Sequence, residues 1–335
     1  MSALMFCVAF FVPGGPAATL RLQPFDFQDR VETLSFSRID QVSTDGRYLY
    51  ITSVKSTEVA VLDASGQLVK VFGGRGGHPS ELGDTGVYAF CVAGNDTWAI
   101  DTNSSRARRF EQGSYLDSFS LKTTNLNDAL PGATLIAASE EELVLPIRGE
   151  NDVLARVFDL KGALKQEIGS PLIFDNGTST FIPGINDTVW LQHGDSWYSI
   201  HRFVPVITRY DRDFEITGMV RFRNRTTEQM ERWLEEFVPS DKFSTPPPMI
   251  TDAQFHRDSL YVLCGKELLK LDEETGVIQA SYGFQGEGPD FGPASGQQLM
   301  LFSFAILGNR VFLAHPALLW NHDMWFVDLP KTPGN

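Results

Sequence analysis

Short runs of β-branched and aromatic residues recur along the chain, each entered through a turn rich in Gly, Asn or Asp. Such runs, bounded by turn residues, mark strands. The clearest are Asp45-Gly-Arg-Tyr-Leu-Tyr-Ile51, Asn95-Asp-Thr-Trp-Ala-Ile100, Glu141-Glu-Leu-Val-Leu145, Asn186-Asp-Thr-Val-Trp-Leu191, Arg257-Asp-Ser-Leu-Tyr-Val262 and Gly308-Asn-Arg-Val-Phe-Leu313. Aligned on their first apolar position (Leu49, Trp98, Leu143, Val189, Leu260, Val311), they are spaced 49, 45, 46, 71 and 51 residues apart. Four of those intervals suit a four-stranded propeller blade.

The first unit divides into Arg38–Ser43, Tyr48–Ser53, Glu58–Asp63 and Gln67–Phe72, and similar quartets fall near 87–120, 132–168, 179–222, 249–284 and 298–328. Only three strands are clear after residue 298, so Thr19–Phe27 is expected to supply the outer strand of the last blade. That closure leaves no long open edge. The predicted fold is all-β: a six-bladed β-propeller of four-stranded antiparallel blades, spanning residues 19–330 as one domain before a short tail at 331–335.

The long interval carries something different. Met230, Trp233, Leu234, Phe237 and Val238 recur at helical spacing, which predicts an amphipathic helix over Thr227–Val238. Thr226 and Gln229 read as its capping box, Pro239 as its stop, and Pro246-Pro-Pro248 as a stiff connector. The insertion, 224–248, is expected in the connection from blade four to blade five. It reads either as a lid over the channel mouth or as packing on the side of those blades.

Before the repeats, Ala3–Val12 is apolar and is followed by small residues through Ala18. Ten residues cannot span a bilayer but suit the core of a signal segment over 1–18, which predicts a secreted or periplasmic protein, with a cytoplasmic one as the alternative. No basic residue precedes Arg21, for which one explanation is a start upstream of Met1; the other reading of the apolar run is an ordinary buried strand. No other stretch is long enough for a membrane span. With 28 basic against 42 acidic side chains, the formal charge is −14, which opposes nucleic-acid binding despite the local run Arg106, Arg108, Arg109. Three scattered cysteines make neither a disulfide framework nor a zinc cluster, and Cys91 and Cys264 lie in apolar strands where thiols are inert.

Asp101-Thr-Asn-Ser-Ser-Arg106-Ala-Arg-Arg-Phe110 resembles the core of an NHL repeat, an Asp-x-x-Asn-x-Arg run leading into a strand, with Asn103 one position early. Val71-Phe-Gly-Gly-Arg-Gly-Gly-His-Pro-Ser-Glu-Leu82 and Tyr282-Gly-Phe-Gln-Gly-Glu-Gly-Pro-Asp-Phe291 resemble the glycine-rich loops between NHL blades. The chain is thus similar to the bacterial six-bladed NHL-like and TolB-like propellers. Blades three and four depart, with Ile147-Arg-Gly-Glu-Asn151 and Gln192-His-Gly-Asp195 in place of the Asp-x-x-Asn run. The resemblance implies the fold, with little chemistry attached. The glycines at 73–77 and 283–288 lack a following Lys-Ser/Thr, so they read as tight turns rather than phosphate cradles.

Candidate chemistry is sparse. Neither H-x-x-x-H nor G-x-S-x-G occurs. The polar and aromatic positions expected around the channel face are Arg75, His78, Asp101, Arg148, His193, His201, Arg202, Trp233, His315, Trp320 and Asp323. The loops carrying His193–Arg202 and Pro316–Asp323 are expected to join second and third strands, on the face of the helical insert. The leading reading is a non-catalytic module, without a cofactor, binding a small molecule or protein there; the oligomeric state stays open. The alternative is a metal-dependent hydrolase or lyase. In lactonase-type propellers calcium polarises the carbonyl, and Asp101 with Asp252 or Asp323 would begin such a ligand set. For a zinc-dependent lyase, His193, His256 and His315 are numerically sufficient.

Overall fold

The computed structural model describes residues 18–25, 39–53, 56–83, 86–101, 106–121, 136–147, 153–170, 186–237, 249–285, 303–314 and 324–330. These form six sheets in a ring. Blades one to four each contain four antiparallel strands in sequence order, running from Gln41–Thr44 out to Leu68–Gly73, Val87–Ala93 to Ser114–Ser120, Ala137–Ala138 to Leu164–Ile168, and Thr188–His193 to Ile216–Arg221. Blade five runs from Ile250–His256 to Ile278–Gln285, and blade six from Ser303–Leu307 to Met324–Asp328.

The N-terminal segment closes the ring across two blades. Gln23–Pro24 pairs antiparallel with Met324–Asp328 as the fourth strand of blade six, as expected. Ala18–Arg21 instead lies parallel to Ile278–Gln285, adding a fifth strand to blade five. One short segment therefore ties blade five to blade six and covers the outer edge of each.

The core is divided among the six interfaces between neighbouring blades, because each sheet has two faces to bury. Trp98, Ile100 and Phe119 of blade two pack on Leu143, Leu145 and Phe158 of blade three. Trp190, Trp197 and Tyr210 of blade four pack on Val144, Ala155 and Val157 of blade three. The hairpins between third and outer strands repeat one device. Asp63, Asp159, Asp211 and Asp272 each turn a carboxylate onto backbone N–H groups two to four residues ahead. The left-handed residue of that turn is Gly66, Gly162 or Gly276 in three blades. In blade four it is Phe214, at φ 61°, whose ring is buried against Trp197 with centroids 5.2 Å apart.

The helix runs over Arg225–Phe237, between the outer strand of blade four and the inner strand of blade five. Its cap is earlier than expected. Asn224 Oδ1 accepts the Thr227 N–H at 2.9 Å, and Thr227 Oγ1 accepts the Asn224 N–H at 2.8 Å. Leu234 is buried with Phe203, Val204, Phe222 and Ile250, and Asn224 Nδ2 donates to Glu267 Oε2. These contacts seat the helix on the junction of blades four and five.

Candidate functional site

Each innermost strand is hydrogen-bonded on one side only, so its free backbone edge faces the axis of the ring. Together these edges enclose a cavity of about 230 Å³, lined from every blade by residues that include Gln41, Phe90, Ala137, Trp190, Asp252 and Ser303. One end of the channel is the face where innermost strands begin, second strands end and the helix sits. Four blades place an acid toward that end, Asp40, Asp101, Asp187 and Asp252, and all four are buried.

Asp252 joins three blades. Its Oδ1 accepts the Ala253 N–H at 2.8 Å, its Oδ2 accepts the Phe304 N–H at 2.9 Å, and Ser303 Oγ lies 2.8 Å from Oδ2. Ser303 Oγ is also 3.0 Å from the Val42 carbonyl of blade one. One hydroxyl proton cannot serve both oxygens. When the carboxyl is protonated, its O–H donates to Ser303 Oγ and the Ser303 proton goes to Val42, which satisfies all three groups. Burial pushes the Asp252 pKa up to about 7, opposed by the hydrogen bonds from Phe304, Ser303 and Ala253 and by the positive charge of Arg202.

At the junction of blades four and five the accounting is less complete. Arg202 ends the second strand of blade four with 9% of its surface exposed. Its backbone is tied to Asp187 and Ile250, and Nε donates to the Ile250 carbonyl at 3.3 Å. Among the described residues this is its only side-chain hydrogen bond, and no acid forms an ion pair with it; Asp187 and Asp252 act on it electrostatically from farther away. Burial lowers its pKa, though a guanidinium stays charged. Thr251 follows Ile250 at a register shift in its strand, and its Oγ1 is buried without a hydrogen-bond partner. His201 is buried, its pKa pushed down to about 4, and Nδ1 has no partner either. Alternation along the strand points the His201 ring away from Arg202.

The NHL-like residues do structural work at the junction of blades one and two. Arg108 donates from Nη1 to Asp101 Oδ2 at 3.1 Å and from Nε to the Pro79 carbonyl at 3.2 Å, clamping the glycine-rich loop onto blade two. Gly83 sits at φ +74°, and a Cβ there would fall 2.5 Å from Asp101 Oδ2. His78 and Arg75 are exposed on that loop. His78 Nδ1 meets Ser80 Oγ at 2.7 Å, and Arg75 is itself partnered. The local basic run is consumed by Ser118, Asp101 and Asp96, partners of Arg106, Arg108 and Arg109 respectively.

His193 corrects the expected loop register. The run at Asn186 forms the innermost strand of blade four rather than its second, because Gly194-Asp-Ser-Trp197 is the true turn and start of the second strand. His193 therefore lies on the opposite face from Arg202, stacked on Phe255 at 4.1 Å, with Nε2 3.5 Å from Asp258. Trp197 and Tyr198 are strand residues in the blade interfaces, not loop residues. The spacing to the next repeat becomes 63 residues when measured from Trp197. Arg148, His315, Trp320 and Asp323 lie outside the described residues, as does the side chain of Trp233 in the helix.

A metal-dependent reading needs converging donors. Among the described residues no three His, Cys, Asp or Glu side chains come together. Asp101 is paired with Arg108, while the oxygens of Asp252 are occupied by neighbouring donors. His193 and His256 instead make ring contacts with Phe255 and Tyr261. The described residues do not fit calcium or zinc. Burial pushes the Cys264 thiol up to about 12, as expected of an inert cysteine. Among the described residues no helix is long and apolar enough to cross a membrane.

The class defined by this geometry is the six-bladed β-propeller. Among solved structures, a Bacteroides fragilis protein named for its expected export aligns over 93% of this chain and 96% of its own, at 14% identity and a TM-score of 0.55. A streptogramin B lyase aligns over 93% and 87%, at 13% identity and a TM-score of 0.51. Both likenesses concern the fold alone. No protein-family model matches the chain, and no curated protein matches its sequence.

Proposed function

We propose that this chain is a non-catalytic binding propeller of the NHL-like or TolB-like kind, exported from the cell, which takes its ligand at the channel face bearing the helix. The observation behind this reading is the open channel cavity of about 230 Å³, together with buried polar side chains on the helix-bearing face that the fold only partly satisfies. Buried polar atoms without partners are rare in folded proteins and concentrate where something else binds. The likeness to a protein named for export and the apolar N-terminal run support the exported assignment.

Elemental mass spectrometry after exchange into metal-free buffer tests the non-catalytic half. The expected result is less than one metal ion per chain and thermal stability unchanged by a chelator. A stoichiometric calcium or zinc ion, removed by chelator with loss of stability, overturns the reading in favour of a metal-dependent hydrolase or lyase.

A further inference from the structure

Arg202 is an energetic anomaly. A buried guanidinium ordinarily closes a bidentate pair with a carboxylate, and an unpaired buried charge costs several kcal/mol. Here one of five N–H donors is used within the described structure, on a carbonyl at 3.3 Å. The neighbouring acids do not take up the remainder. Both Asp252 oxygens already accept backbone N–H groups, and Asp187, although its buried Oδ1 accepts no hydrogen bond, acts on Arg202 from beyond ion-pair distance. The adjoining Thr251 hydroxyl is a second buried donor without an acceptor. Arg202 and Thr251 of the blade four–five junction therefore keep donors with no acceptor in reach, and Asp252, which acts on Arg202 electrostatically, lines the channel cavity.

We propose that Arg202 is the anchor of this site and that its ligand carries a carboxylate, which closes the guanidinium fork the fold leaves open. The inference rests on the binding reading given above and adds the chemical class. A planar carboxylate presents two acceptors at the spacing of a guanidinium, which an amine or a neutral sugar does not. The acid excess of the chain disfavours anions in general, so affinity would depend on this local pair.

Two measurements test it. Thermal shift and isothermal titration would use acetate, benzoate and succinate at matched ionic strength, with inorganic phosphate and methylammonium as parallel arms. A carboxylate is expected to raise Tm in the intact chain, and Arg202→Met is expected to weaken its binding by about tenfold or more. Arg202→Lys should bind with intermediate strength. No carboxylate effect, an equal effect in Arg202→Met, or a response confined to phosphate or methylammonium overturns the proposal.

The second readout needs no ligand. If Arg202 awaits an external partner, the apolar Met variant should be more heat-stable than the parent in carboxylate-free buffer. A fall of several degrees would mean that the guanidinium serves Asp187 and Asp252 structurally, and would also overturn it. Stoichiometric metal together with Arg202-dependent carboxylate binding would sink the non-catalytic reading and leave this one standing. Metal-free protein indifferent to carboxylates would do the reverse.

Discussion

Two blade junctions on the same face each bury an arginine among acids, and they resolve it in opposite ways. Between blades one and two, Arg108 and Asp101 form a closed pair at 3.1 Å, with side chains 7% and 2% exposed, and the guanidinium also holds the glycine-rich loop. Between blades four and five, Arg202 is nearly as buried and has one long hydrogen bond to a carbonyl. The first junction contains the motif that resembles a known repeat, and its Asp101 and Arg108 are spent on architecture. The second contains no motif and leaves donors over. Motif residues in a repeat protein are those every blade needs for folding, so spare capacity for binding is better sought where a blade departs from the pattern.

The contrast can be broken most forcefully at the closed junction. Arg108→Met should take the paired charge from buried Asp101 and cost about 3–5 kcal/mol in urea unfolding, opposite in sign to the effect expected at Arg202. If both substitutions destabilise equally, the two junctions are alike and the comparison fails. Next in size is the brace on the open junction. Leu234→Ala removes the helix side chain packed among Phe203, Val204 and Phe222 and should cost about 2–4 kcal/mol. A cost below about 1 kcal/mol would show the helix to be loosely attached.

Asp252 sharpens the picture through pH. Its pKa is about 7 in the folded protein against about 3.9 unfolded, so the native state holds the proton more tightly. That contribution is complete below about pH 4 and is lost as pH rises through 7. Asp252→Ala should cost about 2 kcal/mol at pH 5 by orphaning the Phe304 N–H and removing the carboxyl that donates to Ser303 Oγ, and should flatten the stability profile between pH 4 and 7. An unchanged profile would place the titration elsewhere.

The smallest effect is a control at a hairpin turn of blade five, on the face of the ring opposite Arg202. Hydrogen bonding by Thr275 holds the Asp272 carboxylate below its ordinary pKa, and Ser65 and Gln67 do the same for Asp63. Such groups stabilise above the unfolded carboxylate pKa and lose that contribution as pH falls through their own. Asp272→Ala should cost about 0.5–1 kcal/mol at pH 7, and parent and variant should converge in acid unfolding curves.

Much of the scaffold was legible along the chain. The four strands of blade one fall at Gln41–Thr44, Leu49–Thr52, Glu58–Leu62 and Leu68–Gly73, within a few residues of their expected spans. The inserted helix was legible from its apolar spacing, while its cap was mistaken by two residues because Thr226 and Thr227 both offer a hydroxyl. The misplacement of His193 has a similar cause. Asn186-Asp-Thr-Val-Trp-Leu imitates the second-strand run of the other blades, and only pairing shows that Thr188 lies opposite His201. Asp252 carried a faint signal, an acid at the start of an innermost strand like Asp40 and Asp187, and the significance of Thr251 carried none.

The division follows the range of the forces involved. Strand composition, turn carboxylates that bond two to four residues ahead, and glycines at positive φ are settled within a dozen residues, so the sequence by itself determined the repeat, the blade count and the helix. Which groups end up without partners depends on contacts between blades. Ser303 reaches Asp252 across 51 residues and Val42 across 261. Ala18–Arg21 finds blade five instead of blade six only once the ring has closed. Arg202 is set apart by what does not reach it, and that is fixed by the tertiary structure alone, because Asp252 is already held by the backbone of blades five and six and Asp187 acts on it only from beyond ion-pair distance.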